Sequence, residues 1–159
     1  MIETEVPVTA TLVETVPTAR VAADVMKTSL RTCSRFSRVI EAVLIFRDED
    51  CGLVPVVEEG KPIGVVTDRD VALALASYAD LVDHPIEDIM TKTLITVAPT
   101  TSVSEVVKTF AREAVRRLLV VDGQGLLVGV ISWKDVSTQV SEESVGRLVT
   151  DVVESPTRA

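Results

Sequence analysis

The residue types best suited to chemistry occur in two closely similar strings, Gly64-Val65-Val66-Thr67-Asp68-Arg69-Asp70 and Gly129-Val130-Ile131-Ser132-Trp133-Lys134-Asp135. In each, a glycine and two branched apolar residues lead to a hydroxyl residue, and an aspartate follows three positions later. An apolar run that ends this way predicts a strand passing directly into a helix. Backbone N–H groups at such a junction lack intrahelical partners and can meet an anion, and the glycine lets a partner approach the main chain closely. The same residues also satisfy a purely local arrangement, with Thr67 and Ser132 as N-caps and Asp70 and Asp135 reaching back to them. Both readings are open on sequence alone.

The two strings belong to a longer duplication. An offset of 64 positions lays Asp24-Val25-Met26 over Asp88-Ile89-Met90, Leu30 over Leu94, Val39 and Glu41 over Val103 and Glu105, Phe46 over Phe110, and Val56-Val57 over Val120-Val121. One residue is then inserted in a turn, after which the two glycine strings coincide. Such a register identifies two copies of one structural unit. In the second copy, Val103, Val106, Val107 and Phe110 form an apolar stripe at helical spacing, opened by the capping-box pattern Ser102-x-x-Glu105. The runs Leu118–Val121 and Leu126–Ile131 flank the turn residues Asp122-Gly123-Gln124-Gly125 and predict a β-hairpin. Thr93 to Val97 predicts a first strand ending before Pro99, and Ser132 opens a closing helix. The first copy reads the same way, with a strand at Leu30–Cys33, a helix carrying Val39, Ala42, Val43 and Phe46, strands Leu53–Val57 and Ile63–Thr67, and a helix from Asp68 to Tyr78. The expected unit is β-α-β-β-α, twice, in an α/β (α+β) fold. Aromatic residues are only 3% of the chain, so the core must be built from Val, Ile, Leu and Ala.

The expected boundaries are an N-terminal extension at 1–19, repeats at 20–80 and 84–140, and a C-terminal tail at 141–159. His84-Pro85-Ile86 marks the junction, with Pro85 placed for the first turn of a short helix leading to Met90. In the tail, Ser144 to Val153 has the spacing of a short amphipathic helix.

Asp-Val-Met leading into a strand, Val-Pro-Val-Val or Leu-Leu-Val-Val, and Gly-h-h-[Ser/Thr]-x-x-Asp opening the last helix together resemble tandem cystathionine β-synthase (CBS) domains, a Bateman module, over about residues 20–140. The resemblance implies a pseudo-twofold pair of domains packed through their sheets, a homodimer, and a regulatory rather than catalytic role. It also implies clefts between the domains that bind adenosine-containing ligands such as AMP, ADP, ATP or S-adenosylmethionine, with an unidentified regulated protein as partner. Carried over residue by residue, Asp135 would accept the hydroxyls of a ribose beside Ser132, with Asp70 and Thr67 in the equivalent place of the other cleft. Val128 with Gly129, and Ile63 in the first copy, would offer apolar surface or carbonyls to an adenine, while Lys27 and Lys92 would line the cleft of the opposite half. The copies differ at one telling place. Arg116-Arg117 precede the Leu-Leu-Val-Val strand, where the first copy has Gly52 and Leu53, so a basic clamp for phosphate is expected at one cleft only. The alternative is a constitutive dimerisation scaffold whose motifs serve as caps and packing.

Composition narrows the partners. A formal charge of -8 disfavours nucleic acid and anionic membranes, and no apolar run reaches the length of a membrane span, so a cytoplasmic protein is expected. Cys33 and Cys51 are expected to be inert, and the single histidine, His84, offers little for a zinc site. No nucleophile elbow or phosphate-binding loop occurs, and Gly123-Gln124-Gly125-Leu126-Leu127-Val128-Gly129 departs from a dinucleotide fingerprint in spacing and leads into a strand. No enzymatic activity is expected.

Overall fold

The computed structural model describes residues 20–137. The expected amphipathic segment Ser144–Val153 and the N-terminal extension lie outside the described residues. The first repeat comprises α2 (Val39–Glu49), β1 (Leu53–Glu58), β2 (Lys61–Thr67) and α3 (Asp68–Ala74), preceded by a single turn of helix, α1 (Ala22–Val25). The second comprises β3 (Thr96–Val97), α4 (Val103–Glu113), β4 (Arg117–Val121), β5 (Leu127–Ser132) and α5 (Trp133–Ser137). β1 and β2 form one antiparallel hairpin, and β4 and β5 form another with β3 added in parallel. The turns follow from sequence. Gly60 and Gly125 take the positive φ that closes each hairpin, and Asp122 Oδ1 accepts the N–H groups of Gln124 and Leu126.

Alternation along the strands divides each hairpin into two faces. Val54, Val56 and Val66 point into one core with Val39, Ala42 and Ile45 of α2, and Leu118, Val120 and Ile131 point into the other with Val103, Val106 and Phe110 of α4. The opposite faces, carrying Leu53, Val65 and Thr67 in one hairpin and Arg117, Leu119 and Ser132 in the other, are left to meet across the repeat interface.

The repeats are interlocked by a reciprocal exchange. Lys27 pairs with Val130 of β5, and Thr91 pairs with Val65 of β2, each through two backbone hydrogen bonds of 2.8–3.1 Å. The segment leading into each repeat therefore packs in the other: Ala22, Val25 and Met26 join the core of the second repeat, and Ile86, Ile89 and Met90 that of the first. The glycines of the two strings make this possible. A Cβ at Gly129 would lie 2.5 Å from Met26 Sδ, and one at Gly64 2.6 Å from Met90 Sδ. Spatial cores and sequence repeats thus differ by one short segment each.

Three elements are shorter than their sequence pattern. The expected strand Leu30–Cys33 is reduced to a single parallel bridge between Cys33 and Val56, and Thr93–Val97 to Thr96–Val97. The helix expected to reach Tyr78 ends at Ala74, where Ala76 and Ser77 donate to residues three back and the chain tightens into turns. Pro85 caps a 3₁₀ turn, Ile86–Asp88, rather than occupying its first position, and pairs with Arg38.

Candidate functional site

At both strand–helix junctions the aspartate turns back on its own chain. The N–H and hydroxyl of Ser132 each donate to Asp135 Oδ2 at 2.7 Å. In the first repeat the N–H and Oγ1–H of Thr67 donate to Asp70 Oδ2 at 2.8 and 2.7 Å, and the Asp70 N–H returns a bond to Thr67 Oγ1 at 3.1 Å. The aspartate therefore reaches back at each junction, and in the first repeat the Asp70 N–H completes a reciprocal cap. Each carboxylate keeps its Oδ1 without a partner among the described residues, and both aspartates remain partly exposed.

The clamp residues separate. Arg116 is exposed, and its carbonyl accepts the Trp133 N–H at 3.1 Å, holding the start of β4 against α5. Arg117 is half-buried and is the cross-strand partner of Ser132, so its side chain leaves the sheet on the same face as the Ser132–Asp135 pair. It lines a narrow cleft between the repeats, of about 30 Å³, together with Leu53 and Val65 from the first repeat and Thr93, Leu94 and Ile95 from the second. No carboxylate pairs with Arg117 among the described residues, whereas Arg31, Arg35, Arg38, Arg47 and Arg112 all have acidic partners. Asp135 and Asp70 do not line this cleft.

The remaining candidates are dispersed. Lys27 and Lys92 are exposed; Lys27 is held by the backbone exchange, and Lys92 lies between the exchanged Thr91 and the cleft residue Thr93. Ile63 and Val128 are partly buried strand residues packed against their own cores, and Trp133 packs against the same core as Val128. His84 lies between Asp88 and Asp80, with Nδ1 and Nε2 at 3.0 and 3.3 Å from their carboxylates and the Tyr78 ring at 4.4 Å. The hydrogen bond to Asp88, ahead of that to Asp80, raises the histidine above its ordinary pKa. Burial pushes the Cys33 thiol up, as suits a packed side chain. Among the described residues no group of three or more His, Cys, Asp or Glu side chains is arranged to hold a metal ion, and no helix is long and apolar enough to cross a membrane.

Sequence reasoning missed Gly52. It read this position as lacking the clamp, yet the Arg117 guanidinium lies directly against it. The signal was the pairing of a glycine with an arginine at neighbouring positions of the two copies.

Two interlocked units, α-β-β-α in the first repeat and β-α-β-β-α in the second, face one another through their hairpins and each closes on a hydroxyl–aspartate pair, which defines a duplicated fold. The family profile of the CBS domain matches residues 21–77 and 86–142, and the chain belongs to that family as a CBS domain pair. It is 32% identical over 130 residues to the CBS domain-containing protein YhcV of Bacillus subtilis (strain 168), covering 81% of this chain and 92% of that protein. Among solved structures it is similar to the CBS domain protein TA0289 of Thermoplasma acidophilum, with a TM-score of 0.74 at 21% identity over 85% of this chain and 77% of that one. It is also similar to the CBS domain pair of protein MJ0100 in complex with 5-methylthioadenosine and S-adenosyl-L-methionine, with a TM-score of 0.69 at 27% identity over 76% of this chain and 95% of that one.

Proposed function

We propose that this CBS pair is a regulatory module that binds an adenosine-containing ligand between its repeats, and that occupancy is read by a partner protein. The observation that carries the reading is Arg117, a half-buried cation without a carboxylate partner among the described residues, on the cleft face and across the strand from the Ser132–Asp135 pair. A cation left uncompensated in a chain of net charge -8 is suited to an anionic ligand. The 27% identical pair of MJ0100, in complex with two adenosine compounds, supports the class of ligand. In this reading the unpartnered Oδ1 of Asp135 accepts the ribose, Arg117 meets a phosphate with Arg116 behind it, and Val128 or Ile63 lies against the base. Lys27 and Lys92 add positive charge at the rims.

The cleft is narrow, about 30 Å³ against the roughly 300–1,000 Å³ typical of ligand pockets. In this reading the ligand spans the cleft at Arg117 and the partly exposed surface at Asp135 and so touches both hairpins, which ties occupancy to the angle between repeats and gives a partner something to read. A thermal-shift panel of AMP, ADP, ATP, adenosine, S-adenosylmethionine and GTP tests this. A ligand at about 100 times its Kd should add roughly 2.7 kcal/mol of stability. A selective response to adenine compounds is the expected result, and no response to any of them, on protein freed of co-purified nucleotide, would count against the reading.

A second property, self-association, is favoured by a separate observation. Among the described residues every exposed large hydrophobic side chain, Phe36, Leu44, Leu73, Leu75 and Val82, lies between positions 36 and 82. The α2 face that carries Ile40 and Leu44 has Ser104 and Lys108 at the equivalent places of α4. Leu73 and Leu75 are 62% and 64% exposed at the end of α3. We infer a homodimer built on the helical layer of the first repeat. Sedimentation equilibrium should find a dimer that Leu73→Asp with Leu75→Asp converts to monomer; a wild-type monomer would remove the inference.

A further inference from the structure

Gly52 faces a neighbour unlike those at the other interface glycines. Gly52 is buried, and its φ lies outside the positive range taken by Gly60 and Gly125, so the backbone there does not require glycine. The space beside its Cα is filled by Arg117 from the other repeat. A Cβ would sit 2.8 Å from Nη2 and 3.3 Å from Cζ and Nη1. At Gly64 and Gly129 the neighbours are methionine side chains of the exchanged segments together with atoms that cannot easily move, the Thr91 backbone carbonyl at 3.2 Å from Gly64 and Met26 Cβ at 3.0 Å from Gly129. At Gly52 the neighbour is the far end of a flexible side chain, and it can.

The duplication makes the arrangement one-sided. The counterpart of Gly52 is Arg116, and the counterpart of Arg117 is Leu53, so among the described residues a glycine seat facing an arginine occurs once. A guanidinium carries five donors in a rigid planar fork, and its direction decides what it can grip. Gly52 leaves room for that fork to cross the interface and lie in the cleft beside Leu53 and Val65.

We propose that Gly52 is a positioning residue, the seat that lets Arg117 reach across the repeat interface, so that the phosphate clamp is built jointly by both repeats and favours phosphorylated over unphosphorylated adenosine ligands. The proposal rests on the adenosine reading above and deepens it. It also makes the clamp sensitive to the angle between repeats, because its base and its head belong to different halves.

The test compares AMP with adenosine by calorimetry on wild type, Gly52→Ala, Arg117→Ala and the double variant, with tripolyphosphate as a third probe in thermal shift. Gly52→Ala should fold with an unchanged or raised Tm, since removing a glycine at an ordinary φ restricts the unfolded chain. Its AMP affinity should fall by about tenfold, the worth of one charge-assisted hydrogen bond, while adenosine affinity holds. In the Arg117→Ala background the same substitution should no longer change the AMP-to-adenosine ratio. An unchanged ratio in Gly52→Ala, with a lowered ratio in Arg117→Ala, would overturn the seat and leave the clamp. Should wild type bind neither AMP nor adenosine, the adenosine reading fails, and tripolyphosphate then decides the seat alone. Stabilisation of wild type that is lost in Gly52→Ala supports it, and an equal or absent shift in both overturns it.

Discussion

Phe110→Ala is expected to lower the free energy of unfolding by about 3–5 kcal/mol. Phe110 is 0% exposed and fills the centre of the second core, among Val106, Leu118 and Ile131. Its removal forfeits both the transfer of a ring out of water and the contacts of the cavity left behind, and the strands around it are too constrained to collapse fully. Domains of this size have about 5–15 kcal/mol in total, so the variant should lose a large share of its stability. Phe46 is its counterpart in the duplication but is only partly buried, and Phe46→Ala should cost distinctly less. Urea unfolding followed through Trp133, the one tryptophan and part of the same core, measures the difference. The reciprocal exchange adds a second expectation. Because Ala22 and Met26 belong to one core and Ile86 and Met90 to the other, neither repeat can lose its packing without exposing the other's lead-in segment. The fluorescence transition should therefore coincide with that of far-UV circular dichroism, which reports both repeats. Separate transitions would mean that the exchanged segments do not couple the halves.

The order of elements was legible because the duplication supplies two readings of one pattern. Where Val103, Val106, Val107 and Phe110 define a helix, Val39, Ala42, Val43 and Phe46 define it again, and both helices are found. The second hairpin was equally legible from the turn residues Asp122-Gly123-Gln124-Gly125, and the duplication carried the reading to the first. What could not be read was partnership. Met26 and Met90 look like local strand-leading residues, and only tertiary packing places each on a glycine of the opposite repeat. The first strands of both copies were overestimated, Thr93–Val97 from its β-branched composition and Leu30–Cys33 from the duplication, because a ladder needs a partner over its whole length and Cys33 finds only Val56.

The candidate site divides along the same line. That Thr67–Asp70 and Ser132–Asp135 act together was readable from their spacing, because three residues is the span of a capping box. That Arg117 would lie across the interface was not, because the identity of its neighbour depends on how two hairpins face one another. Local chemistry is written in the sequence at short range, and the cleft between the repeats is a long-range object.

Asp135→Ala is expected to weaken adenine nucleotide binding by about 1.5–3 kcal/mol through loss of a charged acceptor for the ribose hydroxyls. The difficulty is that the same carboxylate accepts two hydrogen bonds from Ser132, so alanine should also cost roughly 0.5–2 kcal/mol of stability by opening the cap. Asp135→Asn separates the two effects. Its amide oxygen still accepts from the Ser132 N–H and keeps the start of α5 in place, but it carries no charge, so the nucleotide should lose about fivefold to tenfold in affinity with little change in Tm. Asp70→Asn is the matched comparison, because Asp70 makes the same cap with Thr67 while Leu53 stands where Arg117 does in the other repeat. Calorimetry with AMP should therefore rank Asp135→Asn well below Asp70→Asn in affinity, although their stabilities are alike. Equal losses, or losses that follow Tm alone, would mean that both aspartates act only as helix caps. Unequal ones would tie the ribose site to the half that carries Arg117, and the asymmetry between the copies would then be the basis of selectivity rather than drift between duplicates.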